Sequence, residues 1–461
     1  MFKNISVFGL GKLGASMAAA MASRGFNIVG VDVVKKSVEA LSQGLPPVQE
    51  TGLGELIKEN QNRLTATMSS DVAISKSDVS FVIVPTPSDS RGAFEIQYVG
   101  HAFRGIGKAL KKKNNYHLVV LTSTVLPGSM RHGLIPILEK ESGKKCGVDF
   151  GVCYSPALIA IGTIIRDFLN PDFNFIGEFD KKSGDILEDV YTRLTLKVPV
   201  MRRMSIENAE IAKIALNSYI TMKISFANIV SHLCERIPTG DVDTITEAIG
   251  SDSRIGSKFL KGGLGFGGTC FPRDNVALSF ICKELNSNHM LLDATDVYNQ
   301  TLSQRFVERI LPYVNKGETA AVLGLAYKPL THIVEESQPI LLAKALSDIG
   351  LRVIGYDPLA ADEARPVLQY HTLVEENLTN ALKDATVVVV ANNDEIFRKL
   401  TPEQILLDKE KVIVVDVWRC LDAAFANKAR YPRIDYIPIG KHLGFGEGAE
   451  KLKRLWGAQH K

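Results

Sequence analysis

Short apolar runs alternate with stretches of helical character through the first third of the chain. Ile5-Ser6-Val7-Phe8 precedes Gly9, a helix-like Leu13–Ser23 follows, and Asn27–Val33 turns apolar again. Further runs at Val79–Val84 and His117–Thr122, with a weaker one at Gly151–Tyr154, read as strands separated by helices. That order predicts a parallel sheet with helices on both faces, since parallel neighbours need a crossover and the crossover is usually a helix. From Ile206 the rhythm changes. Ile206–Arg236 contains neither Gly nor Pro, and Ile211, Ile214, Ala215 and Ile220 fall at helical spacing. This predicts one long central helix, with more helix to about residue 310. The β/α rhythm then returns at Ala320–Leu325, Arg352–Tyr356, Thr386–Ala391 and Val412–Val417. The expected domains are 1–200 (α/β), 201–312 (all-α) and 313–461 (α/β).

Composition narrows the class. The 461 residues are 45% hydrophobic and 23% charged, which excludes a small disulfide scaffold, a fibre and a disordered chain. Lys+Arg 54 against Asp+Glu 51 leaves a net charge of +3, too balanced for a partner that is nucleic acid or a membrane surface. The six cysteines form no CxxC pair and no metal-ligand spacing, so no metal is expected and reduced thiols in the cytoplasm are the default. The residues from Ile5 to Ala22 have the look of a signal peptide, but Lys12 interrupts them, and no apolar run approaches the ~18 residues of a membrane span.

Two constellations carry chemistry. Gly9-Leu10-Gly11-Lys12-Leu13-Gly14 fits GxGxxG between a strand and a helix. Gly9 permits the turn, Gly11 admits a pyrophosphate close to the backbone, and Gly14 lets helix pack on strand. Asp32 follows 18 residues beyond Gly14, expected at the end of the second strand, where a carboxylate accepts from a ribose 2′-hydroxyl and repels a 2′-phosphate. NAD is therefore favoured, although Lys35 and Lys36 leave NADP open. The second constellation is Gly262-Gly263-Leu264-Gly265-Phe266-Gly267-Gly268-Thr269-Cys270-Phe271-Pro272-Arg273-Asp274. Five glycines in seven residues suggest a backbone curled round a ligand, and a cysteine closing such a loop is a candidate nucleophile rather than an inert thiol.

Read together, these motifs resemble those of the UDP-glucose/GDP-mannose dehydrogenase family of nucleotide-sugar dehydrogenases. Other segments match in order: Val84-Pro85-Thr86-Pro87, Ser123-Thr124-Val125, Asn208-Ala209-Glu210-Ile211-Ala212-Lys213 through Asn217, Asp252-Ser253-Arg254-Ile255-Gly256, Leu323 to Pro329, and Tyr356-Asp357-Pro358. The resemblance implies two Rossmann-like doubly wound domains joined by a long central helix and an all-α dimerisation region. It implies NAD held by residues 9–14 (Gly9, Leu10, Gly11, Lys12, Leu13, Gly14), Asp32, Lys36, Pro85, Thr86, Pro87, Ser123 and Thr124. It further implies oxidation of a sugar primary alcohol to a carboxylate in two hydride transfers, with Cys270 forming first a thiohemiacetal and then a thioester.

Lys213 and Asn217 lie four apart, so they share a helix face, and the lysine ammonium would stabilise a developing oxyanion. By resemblance Asp274 would handle protons through water, and Thr124 would meet the nicotinamide and hold a water. The nucleotide sugar would contact Lys213, Asn217, Lys261, Gly265, Phe266 and Gly267. Lys328 and Arg419 would meet its diphosphate and nucleotide end, and Arg254 would reach the sugar of a neighbouring subunit. UDP-glucose is the first candidate substrate; a UDP-N-acetylhexosamine, GDP-mannose and a non-enzymatic sugar-nucleotide binder are the alternatives.

The chain departs from the family where a Pro-Glu-Phe-Leu-x-Glu-Gly loop is expected. It reads Pro156-Ala157-Leu158-Ile159-Ala160-Ile161-Gly162, with Ala157 and Ile161 at the two acidic positions of the substrate loop. An alanine cannot activate the hydrolytic water, which leaves Ser155, Thr124 or Asp274 as stand-ins, or an enzyme that stalls before hydrolysis. Glu335 stands where the family has an arginine toward the cofactor.

Overall fold

The computed structural model describes residues 2–159, 162–370, 372–444 and 448–457. The chain forms two compact units: Met1–Leu216 with Phe280–Ser287, and Asn217–Ser279 with Asn288–Lys461. The first contains β1 (Asn4–Phe8), β2 (Asn27–Val31), β3 (Leu64–Thr67), β4 (Val79–Val82), β5 (Leu118–Leu121), β6 (Gly151–Tyr154), β7 (Phe173–Glu178) and β8 (Val200–Ser205). Their order across the sheet is β3-β2-β1-β4-β5-β6-β7-β8. The second unit contains β9 (Thr319–Leu323), β10 (Arg352–Tyr356), β11 (Thr372–Glu375), β12 (Val387–Val390), β13 (Val412–Asp416) and β14 (Ile434–Pro438), in the order β11-β10-β9-β12-β13-β14. The six strands β1 to β6, and the six of the second sheet, have the doubly wound order 3-2-1-4-5-6, whose strand order reverses beside the first strand and leaves a crevice at the carboxyl ends.

Each sheet has an apolar cluster on both faces. In the first, Ile5 and Val7 belong to one cluster and Phe8, Val82 and Leu121 to the other. The second sheet is divided in the same way, with Val387 and Val389 on one side and Val388 and Val390 on the other. Burial on both faces is why these strands read as continuous apolar runs. Helix Lys12–Ser23 is apolar all round because Gly14 to Ala22 are all buried, which accounts for the false resemblance to a signal peptide.

The expected architecture needs three corrections. The first sheet is not purely parallel, since β6 and β7 run antiparallel. Strand β8 pairs with β7 from Val200 to Ser205, so the first α/β unit extends past residue 200. Asp32 stands one residue beyond β2 rather than ending it.

The long helix runs from Ile206 to Cys234. In the second unit its polarity is inverted. Ser218, Thr221, Ser225, Asn228 and Ser231 are buried, whereas Tyr219, Phe226, Ile229 and Leu233 are each more than half exposed.

Candidate active site

In the first unit the glycine turn is built by close approach. Gly9 has φ +98° and donates its N–H to Val31 at 2.7 Å, and a Cβ on it would strike the Ile83 carbonyl. A Cβ on Gly14 would strike the carbonyl of Gly9, whereas one on Gly11 would meet no atom within 4 Å. Asp32 ties the turn to the end of β2, accepting from Leu10 N at 2.6 Å and Val34 N at 2.8 Å. The first turn of helix Lys12–Ser23 has no side-chain cap. Unfilled space over Gly11, an uncapped helix N-terminus and a carboxylate beyond β2 together fit a dinucleotide pyrophosphate and ribose. Lys36 is exposed beside them.

The loops after β4 and β5 are tied to each other. Ser123 Oγ donates to Val84 O at 2.6 Å and accepts from Val84 N, and Thr86 Oγ1 donates to Thr124 O at 2.7 Å. Ser123 and Thr86, expected as cofactor contacts, thus spend their hydroxyls on bracing these loops, while Pro85 and Pro87 stand exposed and Thr124 is half-buried.

Sequence reasoning missed Glu210 as a working residue. It is fully buried one helical turn before Lys213, and its carboxylate accepts from Gly128 N at 2.6 Å and Met130 N at 2.9 Å. Burial pushes its pKa up to about 7 in spite of those two bonds. The only signal in the sequence is an acid among apolar helical neighbours; its partners lie 80 residues away.

Lys213 is 8% exposed and its Nζ donates to the carbonyl of Ala157 at 3.2 Å. The position expected to hold a glutamate therefore meets the lysine through its backbone. Leu158 is half-buried, and Ile161 lies outside the described residues. Ser155 is excluded as a stand-in base: its buried hydroxyl donates to Phe175 O at 2.7 Å and lies 2.6 Å from the Tyr191 hydroxyl. Burial holds that Tyr191 hydroxyl protonated well above the usual range, so it is the donor of the pair.

In the second unit Asn217 Nδ2 donates to Asp274 Oδ2 at 2.6 Å, and Asp274 is 1% exposed. Arg273 Nη2 lies 3.6 Å from the other oxygen of Asp274. Asp274 stands in the first turn of helix Phe271–Glu284, and the carbonyl of Cys270 accepts its N–H at 2.8 Å, so Cys270 opens that helix with an exposed thiol.

The glycine loop is filled by its own chain. A Cβ on Gly262 would strike Ser231, on Gly263 the Trp418 ring, on Gly265 Asn299, on Gly267 the Glu336 carbonyl and on Gly268 the Tyr327 ring. Asn228 binds Gly263 N and Leu264 O, Asn299 binds both polar groups of Phe266, and Gly268 N donates to Glu335 O. The absent side chains thus make way for the chain's own groups, and the Phe266 residue, at 3% exposed, packs into the core.

Arg419 is corrected as well. Its side chain is 3% exposed and its donors go to both oxygens of Asp243 and to the carbonyls of Gly262, Val417 and Ile439. It clamps the start of the glycine loop and has no donor left for a diphosphate. Lys261 is exposed, Lys328 lies 5.6 Å over the Tyr327 ring, and the exposed Arg254 pairs with Asp252. The Glu335 side chain is exposed as well.

Comparison with known proteins agrees along the chain. The UDP-glucose/GDP-mannose dehydrogenase family models match in three parts: the NAD binding domain over residues 3–195, the central domain over 207–301 and the UDP binding domain over 321–423. UDP-glucose 6-dehydrogenase AglM of Haloferax volcanii is 33% identical over 89% of this chain and 97% of its own. GDP-mannose 6-dehydrogenase of Pseudomonas syringae pv. tomato is 33% identical over 87% of this chain and 94% of its own. The structure of a UDP-glucose dehydrogenase from Pyrobaculum islandicum superposes with a TM-score of 0.84 at 32% identity, covering 96% of this chain and 98% of that one.

Proposed function

The chain belongs to the UDP-glucose/GDP-mannose dehydrogenase family, an NAD-dependent family of nucleotide-sugar dehydrogenases, and we propose that it oxidises the primary alcohol of a nucleotide sugar to a carboxylate, UDP-glucose to UDP-glucuronate first among the candidates. The observation that carries this reading is the second unit's constellation: an exposed Cys270 opening a helix whose first turn holds Asp274 against Asn217 at 2.6 Å. The UDP-binding match over 321–423 supports a nucleotide-sugar substrate.

NAD⁺, which Gly9–Gly14 and Asp32 would hold, would supply the hydride acceptor, twice per sugar. The chain's own residues do the rest. With the alcohol oxidised to the aldehyde, Cys270 Sγ adds to the carbonyl carbon and the oxygen takes up a proton, giving a thiohemiacetal. Loss of the second hydride and that proton leaves a thioester. Water then adds, the C–S bond breaks, and the carboxylate leaves as the thiol is restored. The Lys213 ammonium is a cation suited to a developing oxyanion, and Asn217, oriented by Asp274, has an amide N–H to offer such an oxygen. Thr124 holds the cofactor side, and Lys261, Lys328 and Arg254 supply cations for the sugar-nucleotide.

Incubation with NAD⁺ and a panel of UDP-glucose, UDP-N-acetylhexosamines and GDP-mannose tests this reading by NADH absorbance. Two NADH per uronate with one nucleotide sugar are expected; no NADH with any would overturn it. A second reading, favoured by the methyl group of Ala157 and the engagement of its carbonyl by Lys213, is an enzyme whose thioester forms readily and hydrolyses slowly. The chain also acts as a homodimer in this reading. Its support is the exposed stripe of Tyr219, Phe226, Ile229 and Leu233, a surface a second copy would cover.

A further inference from the structure

The second unit contains a cavity of about 40 Å³ on the face of the long helix away from that apolar stripe. Helices Met290–Gln300 and Leu302–Ile310 wall it, and the Gly263-Leu264 segment closes one side. Its polar lining is Ser231, His232, Glu235, Tyr298, Arg305 and Arg309 together with Asn228, which anchors the loop.

These groups are short of acceptors. Arg305 Nη1 lies 3.0 Å from His232 Nδ1; an arginine only donates, so the imidazole accepts and is neutral. Burial, with Arg236, Arg305 and Arg309 nearby, holds His232 down at about pKa 4. Arg309 Nε stands 3.6 Å from Glu235, beyond a hydrogen bond, and Glu235 already accepts from Gly440 N at 2.9 Å. Arg309 Nε, Arg309 Nη2 and the Tyr298 hydroxyl are buried and make no hydrogen bond among the described residues. Three buried donors around one small space suit an occupant rich in acceptors, and two guanidiniums against one carboxylate favour one that carries negative charge. A cation would be repelled, and an apolar group would leave the donors unmet.

We propose that this cavity binds a phosphate-sized oxyanion, either free phosphate or the phosphate of a monoester, gripped by Arg309, Arg305 and Tyr298. The bound anion rests against the back of Gly263-Leu264, the segment that leads to Cys270, and so acts as an effector of the loop from outside the substrate site.

Calorimetric titration of the full chain with sodium phosphate, at ionic strength held constant with sodium chloride, tests this. One saturable site per chain is expected, retained when UDP and NAD⁺ are added. Arg309→Gln is expected to weaken it about tenfold or more, the range for a lost charge-assisted hydrogen bond. Tyr298→Phe, which removes a single oxygen and leaves the packing, is expected to weaken it about threefold and keeps the test open if Arg309→Gln fails to fold. Parallel titration with glycerol phosphate separates the sources, since a monoester site takes both ligands and a free-phosphate site takes one. Dilution heats alone, binding unchanged in both variants, or displacement of phosphate by UDP would each overturn the proposal. NADH formation is read separately, so failure of the anion site leaves the dehydrogenase reading standing.

Discussion

Glu210→Gln probes the link between the cofactor-side loop and the helix bearing Lys213. The wild-type carboxylate offers one oxygen to Gly128 N and the other to Met130 N. A glutamine keeps one acceptor and turns an NH₂ toward the second N–H, leaving a buried donor unmet at a cost of ~1–3 kcal/mol. The pH dependence discriminates further. The group titrates at 4.5 when unfolded and at about 7 when folded, because burial disfavours the charge. Between these values the folded state holds the extra proton, so this group's contribution is fully present at low pH, is lost as pH rises toward 7, and is flat above. The shift of about two and a half units amounts to roughly 3 kcal/mol. Glutamine does not titrate. Its penalty relative to wild type is therefore largest at pH 5 and shrinks by roughly 2–3 kcal/mol by pH 8. Urea unfolding at both pH values measures this, with hydrogen exchange of the peptide covering residues 123–134 locating it. A penalty that is equal at both pH values, or larger at pH 8, would refute the reasoning, because it would mean that the carboxylate's charge is stabilised more by its two N–H donors than it is penalised by burial.

Four further outcomes are expected. Asp32→Ala weakens NAD⁺ by ~1.5–3 kcal/mol, the value of a charge-assisted hydrogen bond, and an unchanged dissociation constant would place the ribose elsewhere. Cys270→Ala abolishes uronate formation while NAD⁺ binding, which rests on the Gly9–Gly14 turn, survives; undiminished uronate by mass spectrometry would sink the covalent scheme. If Ala157 leaves the thioester without a base, progress curves show a burst of about two NADH per site and then turnover slowed ~10²–10⁴-fold, with an adduct on Cys270 in the intact mass. A linear curve without adduct argues for another route. Arg419→Met strands the Asp243 carboxylate and three carbonyls, and calorimetric melting should register a loss of ~3–5 kcal/mol, whereas a melting temperature within a degree of wild type would show the clamp to be dispensable.

How much of this was legible in the sequence depended on burial. Strands enclosed on both faces, such as β1, β4, β5, β12 and β13, announce themselves as apolar runs. The unread strands sit at or beside sheet edges. Val200–Ser205 carries Arg202 and Arg203, and Arg203 pairs with Glu178 of β7 and with Asp185 and Glu188. Charge on an edge strand protects it from pairing with another chain, and it also removes the pattern by which a strand is recognised. Leu64–Thr67, Thr372–Glu375 and Ile434–Pro438 are the other outer strands, and their half-exposed residues mix polar with apolar in the same way. Gly9, Asp32, Asn217, Cys270 and Asp274 stood out because turn geometry and motif spacing are local. Glu210 did not, and Ser155 and Arg419 were given work that the fold assigns otherwise, since what each does depends on groups brought to it from distant segments.

The Gly262–Gly268 loop shows a second use of dense glycine, close packing, that its spacing in the sequence does not reveal. The sites of the missing side chains are occupied by Ser231, Trp418, Asn299, the Glu336 backbone and Tyr327. Flexibility would cost ordering entropy at every turnover. Here Asn228 and Asn299 hold the loop through its own backbone groups, and Arg419 fixes its first carbonyl. Glycine at these positions lets bulky neighbours approach and lock the backbone. The loop then delivers Cys270 to the start of its helix in one conformation, and a nucleophile that must attack the same carbon direction in every cycle gains from that order rather than from freedom.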